Sequence, residues 1–268
     1  MLPEGKFLLM DTILKVGVLQ YNVAWHDIEK NLRKAEILIE QFPDTPDLIL
    51  LPEMFATGFT MEPELFSGKV YSLIINWMQE LSAKYSVAIS GSHPFYSGRV
   101  YFNRLLFISQ EPEINTYYDK RHLFSIGGED KHYAPGNNRS IIQYRNWRLM
   151  PLICYDLRFP VWSRNDLDYD VLFYVTNWPA ARNDVWETLL KARAIENQAY
   201  VIGVNRIGTD GQNIHYIGNS RVISPKGNIL GKLSDEENFL FIRLEKEKLV
   251  EFRKKFPVLS DRDHFVIK

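Results

Sequence analysis

The 268 residues contain one cysteine, which ends the apolar run Leu149-Met150-Pro151-Leu152-Ile153 where the chain turns polar at Cys154-Tyr155-Asp156-Leu157-Arg158. A thiol at a strand-to-helix turn is placed for nucleophilic work, because the helix start offers a positive dipole end and free backbone N–H groups that favour thiolate. The alternative is a small buried hydrophobe, the commoner role of a lone cysteine. A thiol nucleophile needs a base, and Glu53 ends a second apolar run, Leu48-Ile49-Leu50-Leu51-Pro52. Acyl transfer also needs a cation or N–H donors for the oxyanion, which Lys120 and the backbone N–H of Tyr155 can supply. Asn177 ends a fourth strand candidate, and Glu129 lies in the loop after Lys120, where it can hold the lysine or a substrate amide. Taken singly, these residues read as a solvated strand end, a snorkelling lysine and a loop carboxylate. Taken together, four strand ends bearing reactive or polar groups are what the ligand edge of an α/β sheet requires.

The elements that must position them follow from periodicity. Residues 13–20 and 48–51 read as strands, with a helix between them over 27–41 whose apolar positions Ile28, Leu32, Ala35 and Ile39 keep helical spacing and whose Asp27 can cap. A second helix over 70–85 leads into a strand at 87–91. This strand, helix, strand, helix, strand order predicts an α/β layer architecture. Strands at 104–109 and 114–118 flank a Gln-Glu-Pro-Glu turn, and residues 119–138 form a polar loop long enough to be functional. Residues 141–144 and 147–154 pair as a hairpin ending at the cysteine. Strands follow at 170–176 and 200–205 with a helix over 184–197 between them, then a hairpin across Pro225-Lys226-Gly227-Asn228, a strand at 239–244 and a charged helix over 245–255.

Composition bounds the function. Hydrophobic residues make up 46% and charged residues 24%, with a formal net charge of -1, so no global attraction to nucleic acid or an anionic membrane is expected. One cysteine cannot form an internal disulfide, which points to a reducing, cytoplasmic setting. The apolar patch at residues 7–10 is too short for a membrane span, and residues 1–9 read as a disordered extension. Without a linker or a short-period repeat, residues 1–268 read as one domain. The six histidines share no metal-ligand spacing, and no metal is expected; His122 stands out only for its closeness to Lys120.

The blocks Leu50-Leu51-Pro52-Glu53, Tyr118-Asp119-Lys120-Arg121-His122-Leu123-Phe124 and Cys154-Tyr155-Asp156-Leu157-Arg158-Phe159-Pro160, in this order, resemble the three signature motifs of the nitrilase superfamily of carbon-nitrogen hydrolases. Residues 192–197 and 218–227 are similar to further blocks of that family. The resemblance implies a four-layer αββα sandwich that assembles as a homodimer or higher homo-oligomer, with the tail from about residue 245 to 268 packing on a neighbour. It also implies a Glu-Lys-Cys triad carried by Glu53, Lys120 and Cys154, a second glutamate at Glu129, and no cofactor. Arg121-His122-Leu123-Phe124, Arg158 and Asn177-Trp178-Pro179 look most like the omega-amidase branch, whose substrates are small dicarboxylate monoamides such as 2-oxoglutaramate and 2-oxosuccinamate. On that reading Arg158 takes the substrate's distal carboxylate, unless it pairs with Asp156 or Asp170, while Phe124 and Trp178 wall the pocket beside Asn177 and Tyr155. The alternatives are another family substrate (an aliphatic amide, an N-carbamoyl amino acid or a nitrile) and a non-catalytic binding or thiol-sensing protein.

Overall fold

The computed structural model describes residues 12–66 and 68–267; the proposed extension at residues 1–9 lies outside them. Two six-stranded sheets dominate. The first has the order β14-β1-β2-β3-β4-β5, built from β1 (Ile13–Gln20), β2 (Leu48–Leu50), β3 (Ala88–Tyr96), β4 (Tyr101–Ile108), β5 (Thr116–Asp119) and β14 (Asn238–Glu245). The second has the order β13-β12-β9-β8-β7-β6, built from β6 (Ile142–Tyr144), β7 (Trp147–Ile153), β8 (Val171–Val175), β9 (Tyr200–Val204), β12 (Arg221–Ile223) and β13 (Ile229–Lys232). A small hairpin of β10 (Ile207–Thr209) and β11 (His215–Ile217) stands apart from both. Each sheet has three parallel strands, β1 to β3 in one and β7 to β9 in the other, with antiparallel strands on either side.

The layers follow from which side chains alternate. On β1, Leu14, Val16 and Val18 face the space between the sheets, and on β4 Leu105 and Phe107 do the same. The intervening Ile49, Ile89 and Leu106 face a second core under α1 (Ile28–Ile39) and α2 (Lys69–Tyr85), which contribute Leu32, Ala35, Ile74 and Met78. Asp27 caps α1 as its spacing predicts, its carboxylate accepting from the Lys30 N–H at 3.1 Å. The second sheet is covered by α3 (Asn183–Asn197), and the backbone at Gly203 comes so close that a Cβ there would lie 2.6 Å from the Trp186 ring. Helix, sheet, sheet, helix is therefore the order of layers, the four-layer αββα sandwich of the expectation. Cross-sheet contacts such as the edge-on pair Phe107–Tyr144, centroids 5.5 Å apart, fill the middle.

The charged C-terminal segment forms α4 (Lys246–Lys255), which docks on its own chain. Lys246 and Arg253 both pair with Asp170, at the start of β8, and Leu249 is fully buried. No described helix is long and apolar enough to cross a membrane.

Candidate active site

Strands β2, β5, β7 and β8 run so that their C-terminal ends meet at one end of the sandwich, and Glu53, Lys120, Cys154 and Asn177 each follow one of them. Two of these ends are backbone outliers. Cys154 has φ +42° and Met54, directly after Glu53, has φ +45°. A non-glycine residue in the left-handed region costs about 1–3 kcal/mol, and such strain persists only where the surroundings hold it. At Cys154 the holder is the buried carboxylate of Asp156, which accepts from the Ile153 N–H at 3.0 Å and the Tyr118 hydroxyl at 2.7 Å. Its other oxygen accepts from the backbone N–H of His122 at 3.0 Å and contacts His122 Nδ1 at 2.8 Å. One side chain thereby locks the cysteine turn to the segment carrying Lys120. Asp156 is spent on this brace, so Arg158 does not pair with it, and Asp170 is taken by α4.

Lys120 is almost wholly buried, and its Nζ donates to Glu53 Oε1 at 2.8 Å and to Glu129 Oε2 at 2.8 Å. Asn103 Nδ2 donates to both carboxylates, at 2.8 Å to Glu53 and 3.1 Å to Glu129. Asn177 reaches Glu53 from the second sheet: its backbone N–H donates to Oε2 at 2.9 Å and its side-chain Nδ2 to the Glu53 carbonyl at 2.8 Å. The Phe124 N–H donates to Glu129 at 2.6 Å, which places the long polar loop. Burial works against the Lys120 charge, but Glu129 and Glu53 outweigh it and hold the ammonium well above its ordinary range. Burial raises the Glu129 carboxyl, against the pull of Lys120 and helped by the Glu53 charge.

The thiol departs from expectation. Burial and the Glu53 charge push the Cys154 pKa well above that of an ordinary thiol, and Lys120 only partly offsets them. The turn that follows is a five-residue 3-10 segment, Cys154–Arg158, too short to supply the dipole of a full helix. Cys154 therefore rests as a thiol, its S–H directed at the Asn177 carbonyl 3.9 Å away.

A pocket of about 240 Å³ opens over the thiol. Lys120 and Cys154 lie in it, and Phe124, Tyr155, Arg158, Asn177 and Trp178 are among the residues that line it. Glu53 and Glu129 sit fully buried behind Lys120. Sequence reasoning missed Asn103, Phe59, Arg182, Ile214 and Tyr216. Asn103 shares the inward face of β4 with Leu105 and Phe107, so a polar residue on that apolar face was the available signal. Ile214 and Tyr216 arrive on the β10–β11 hairpin, whose short strands carry no clear alternation. A larger groove of about 960 Å³ between β13, β14 and α4 touches none of the reactive residues.

The carbon-nitrogen hydrolase family matches residues 15–254. The chain is 44% identical to omega-amidase YafV of Escherichia coli K12 over 253 residues, covering 94% of this chain and 98% of that protein. It is 31% identical to 2-oxoglutaramate amidase of Bacillus subtilis, covering 92% and 96% respectively. Among solved structures, XC1258 of Xanthomonas campestris, a CN-hydrolase superfamily protein, superposes with a TM-score of 0.91 at 37% identity over 96% of this chain and 99% of that one. With matching motifs, matching layers and relatives aligned over nearly their whole length, this chain belongs to the carbon-nitrogen hydrolase family and is a hydrolase of C–N bonds other than peptide bonds.

Proposed function

We propose that this protein is a cysteine-dependent omega-amidase that hydrolyses the terminal amide of small dicarboxylate monoamides, 2-oxoglutaramate and 2-oxosuccinamate, to the acid and ammonia. The observation that carries the reading is one small pocket with a thiol and an ammonium at its inner end and the Arg158 guanidinium on its wall. The names borne by the relatives from Escherichia coli and Bacillus subtilis support the same substrate class.

In this reading Glu53 takes the Cys154 proton as the thiol attacks the amide carbon, forming the C–S bond and a tetrahedral oxyanion. Lys120 Nζ and the Tyr155 N–H stabilise that oxyanion. Glu53 returns the proton to the amide nitrogen as the C–N bond breaks and ammonia leaves, which produces a thioester. Water then adds to the thioester with Glu53 again as base, and collapse releases the acid and restores the thiol. Glu129 keeps Lys120 charged and aimed, and Arg158 holds the substrate's carboxylate through a bidentate fork. The raised thiol pKa suits this order, because the proton leaves only when the substrate is in place to be attacked. A free thiol nucleophile also suits a reducing compartment, the cytoplasm.

The test is ammonia release from 2-oxoglutaramate, 2-oxosuccinamate, L-glutamine and a simple nitrile, with mass spectrometry of the acid-quenched protein. The expected result is turnover of the two oxo-monoamides and an adduct on Cys154 of acyl mass, both lost in Cys154→Ala. Full ammonia release by Cys154→Ala, or a clear preference for the nitrile, would overturn the reading.

A further inference from the structure

The outer part of the pocket carries more positive charge than one carboxylate requires. Arg158 and Arg182 both line it and both are half-buried. Neither forms an ion pair or a side-chain hydrogen bond with any described residue. Other partly buried arginines end on carboxylates, as Arg104 does on Asp119, Arg139 on Asp166 and Arg253 on Asp170. The two pocket arginines lie over aromatic faces instead, Arg158 at 5.2 Å from the Trp178 ring centre and Arg182 at 5.3 Å from that of Phe124. The supports are joined, since Trp178 Nε1 donates to the Arg182 carbonyl at 2.9 Å and the Phe124 ring meets Tyr155 edge-on at 5.1 Å. Both guanidiniums are thus held in a rim continuous with the cysteine turn, with their N–H groups left for a ligand.

Charge then discriminates between ligands. At the inner end Lys120 is matched by Glu53 and Glu129, so that end suits an uncharged amide. The two unmatched cations suit a ligand whose other end offers a carboxylate and a further acceptor beside it, and they penalise a cation there. A 2-oxo group is such an acceptor, and a 2-ammonium group is such a cation. Building on the amidase reading above, we propose that Arg182 is a specificity residue that hydrogen-bonds the substrate's 2-oxo oxygen and excludes 2-amino acid amides, while Arg158 takes the carboxylate.

The experiment is steady-state ammonia release by wild type, Arg182→Met, Arg182→Lys and Arg158→Met on 2-oxoglutaramate, glutaramate and L-glutamine. Glutaramate keeps the carboxylate and lacks the 2-substituent. For Arg182→Met, kcat/KM for 2-oxoglutaramate falls about tenfold or more, chiefly through KM. Its glutaramate value falls several-fold less than its 2-oxoglutaramate value, because glutaramate loses only the long-range attraction of the cation for its carboxylate, and the handicap of L-glutamine narrows. Arg182→Lys retains part of the oxo preference, and Arg158→Met loses 2-oxoglutaramate and glutaramate alike. A wild-type thermal midpoint certifies the fold of Arg182→Met. An equal loss on glutaramate and 2-oxoglutaramate in Arg182→Met, or no change on either, overturns the assignment to Arg182 while leaving the amidase reading intact. Wild-type protein inactive on all three compounds overturns the amidase reading and this inference with it.

Discussion

The Cys154 thiol sits beside an ammonium and is nevertheless held protonated, because burial and the Glu53 carboxylate outweigh Lys120. At neutral pH its thiolate fraction lies below that of a free thiol, so reagents that need thiolate find it sluggish. Iodoacetamide trapping, followed by intact mass between pH 7 and 9.5, is expected to be slower than for free cysteine at pH 7.5 and still rising at the top of the range. A plateau by pH 8 would mean that Lys120 wins and that the empty site holds thiolate. In the proposed mechanism the reactivity comes from proton transfer to Glu53 during attack, and there the geometry around Glu53 matters more than the resting charge of sulfur. That geometry is heavily determined: Lys120, Asn103 and the Asn177 N–H all donate to the two oxygens of Glu53.

At the scale of elements, precision comes from strand ends braced by neighbouring loops. Lys120 follows β5, and its own carbonyl accepts from the Gly136 N–H at 2.8 Å. There the backbone approaches so closely that a Cβ on residue 136 would run into the Asp119 carbonyl, a main-chain group with little freedom to yield. Gly136→Ala is therefore expected to push the Asp119–Lys120 peptide away from Glu53 and Glu129. Overpacking of this kind typically costs about 1–3 kcal/mol, and a misplaced catalytic group costs rate as well. We expect a lower thermal midpoint together with a fall in kcat of about tenfold or more, the KM for a monoamide changing less. Wild-type kcat in this variant would show that the loop bends without disturbing the lysine. The brace on the other side is Asp156, which fixes the φ +42° turn at Cys154 to Tyr118 and His122.

At the scale of the whole molecule, acid stability has a definite contributor away from the site. His93 is fully buried on β3, with Nε2 3.4 Å from the Phe66 carbonyl, and burial pushes its pKa down to about 3. In the unfolded chain it titrates near 6.5. Above that value the ring is neutral in both states and favours neither. Below it the unfolded chain takes up a proton that the folded one refuses, so stability falls as pH drops from 6.5 toward 3, by up to about 1.4 kcal/mol per unit. His26, also pushed down by burial, acts in the same direction, so the His93 share is read by difference. Between pH 7 and 5 the thermal midpoint of His93→Gln is expected to fall less steeply than that of wild type, by about 2–4 °C for each kcal/mol removed. Parallel slopes would refute the assignment.

The sequence by itself determined the alternation of strands and helices, the apolar runs that become the parallel strands of both sheets, and the reactive residues that end them. Those features are local: period-2 and helical spacing report which faces are buried, and a carboxylate, lysine or cysteine after an apolar run stands out against it. Only the tertiary structure decided which ends meet. Asn103 and Glu129 join Lys120 because β4 pairs with β5 and the long loop folds back, and Arg182, Ile214 and Tyr216 enter the pocket from segments far from the cysteine in the chain. The thiol's resting state was likewise decided there, since it depends on burial and on a charge contributed by the other sheet, and neither is a property of the residues that flank Cys154.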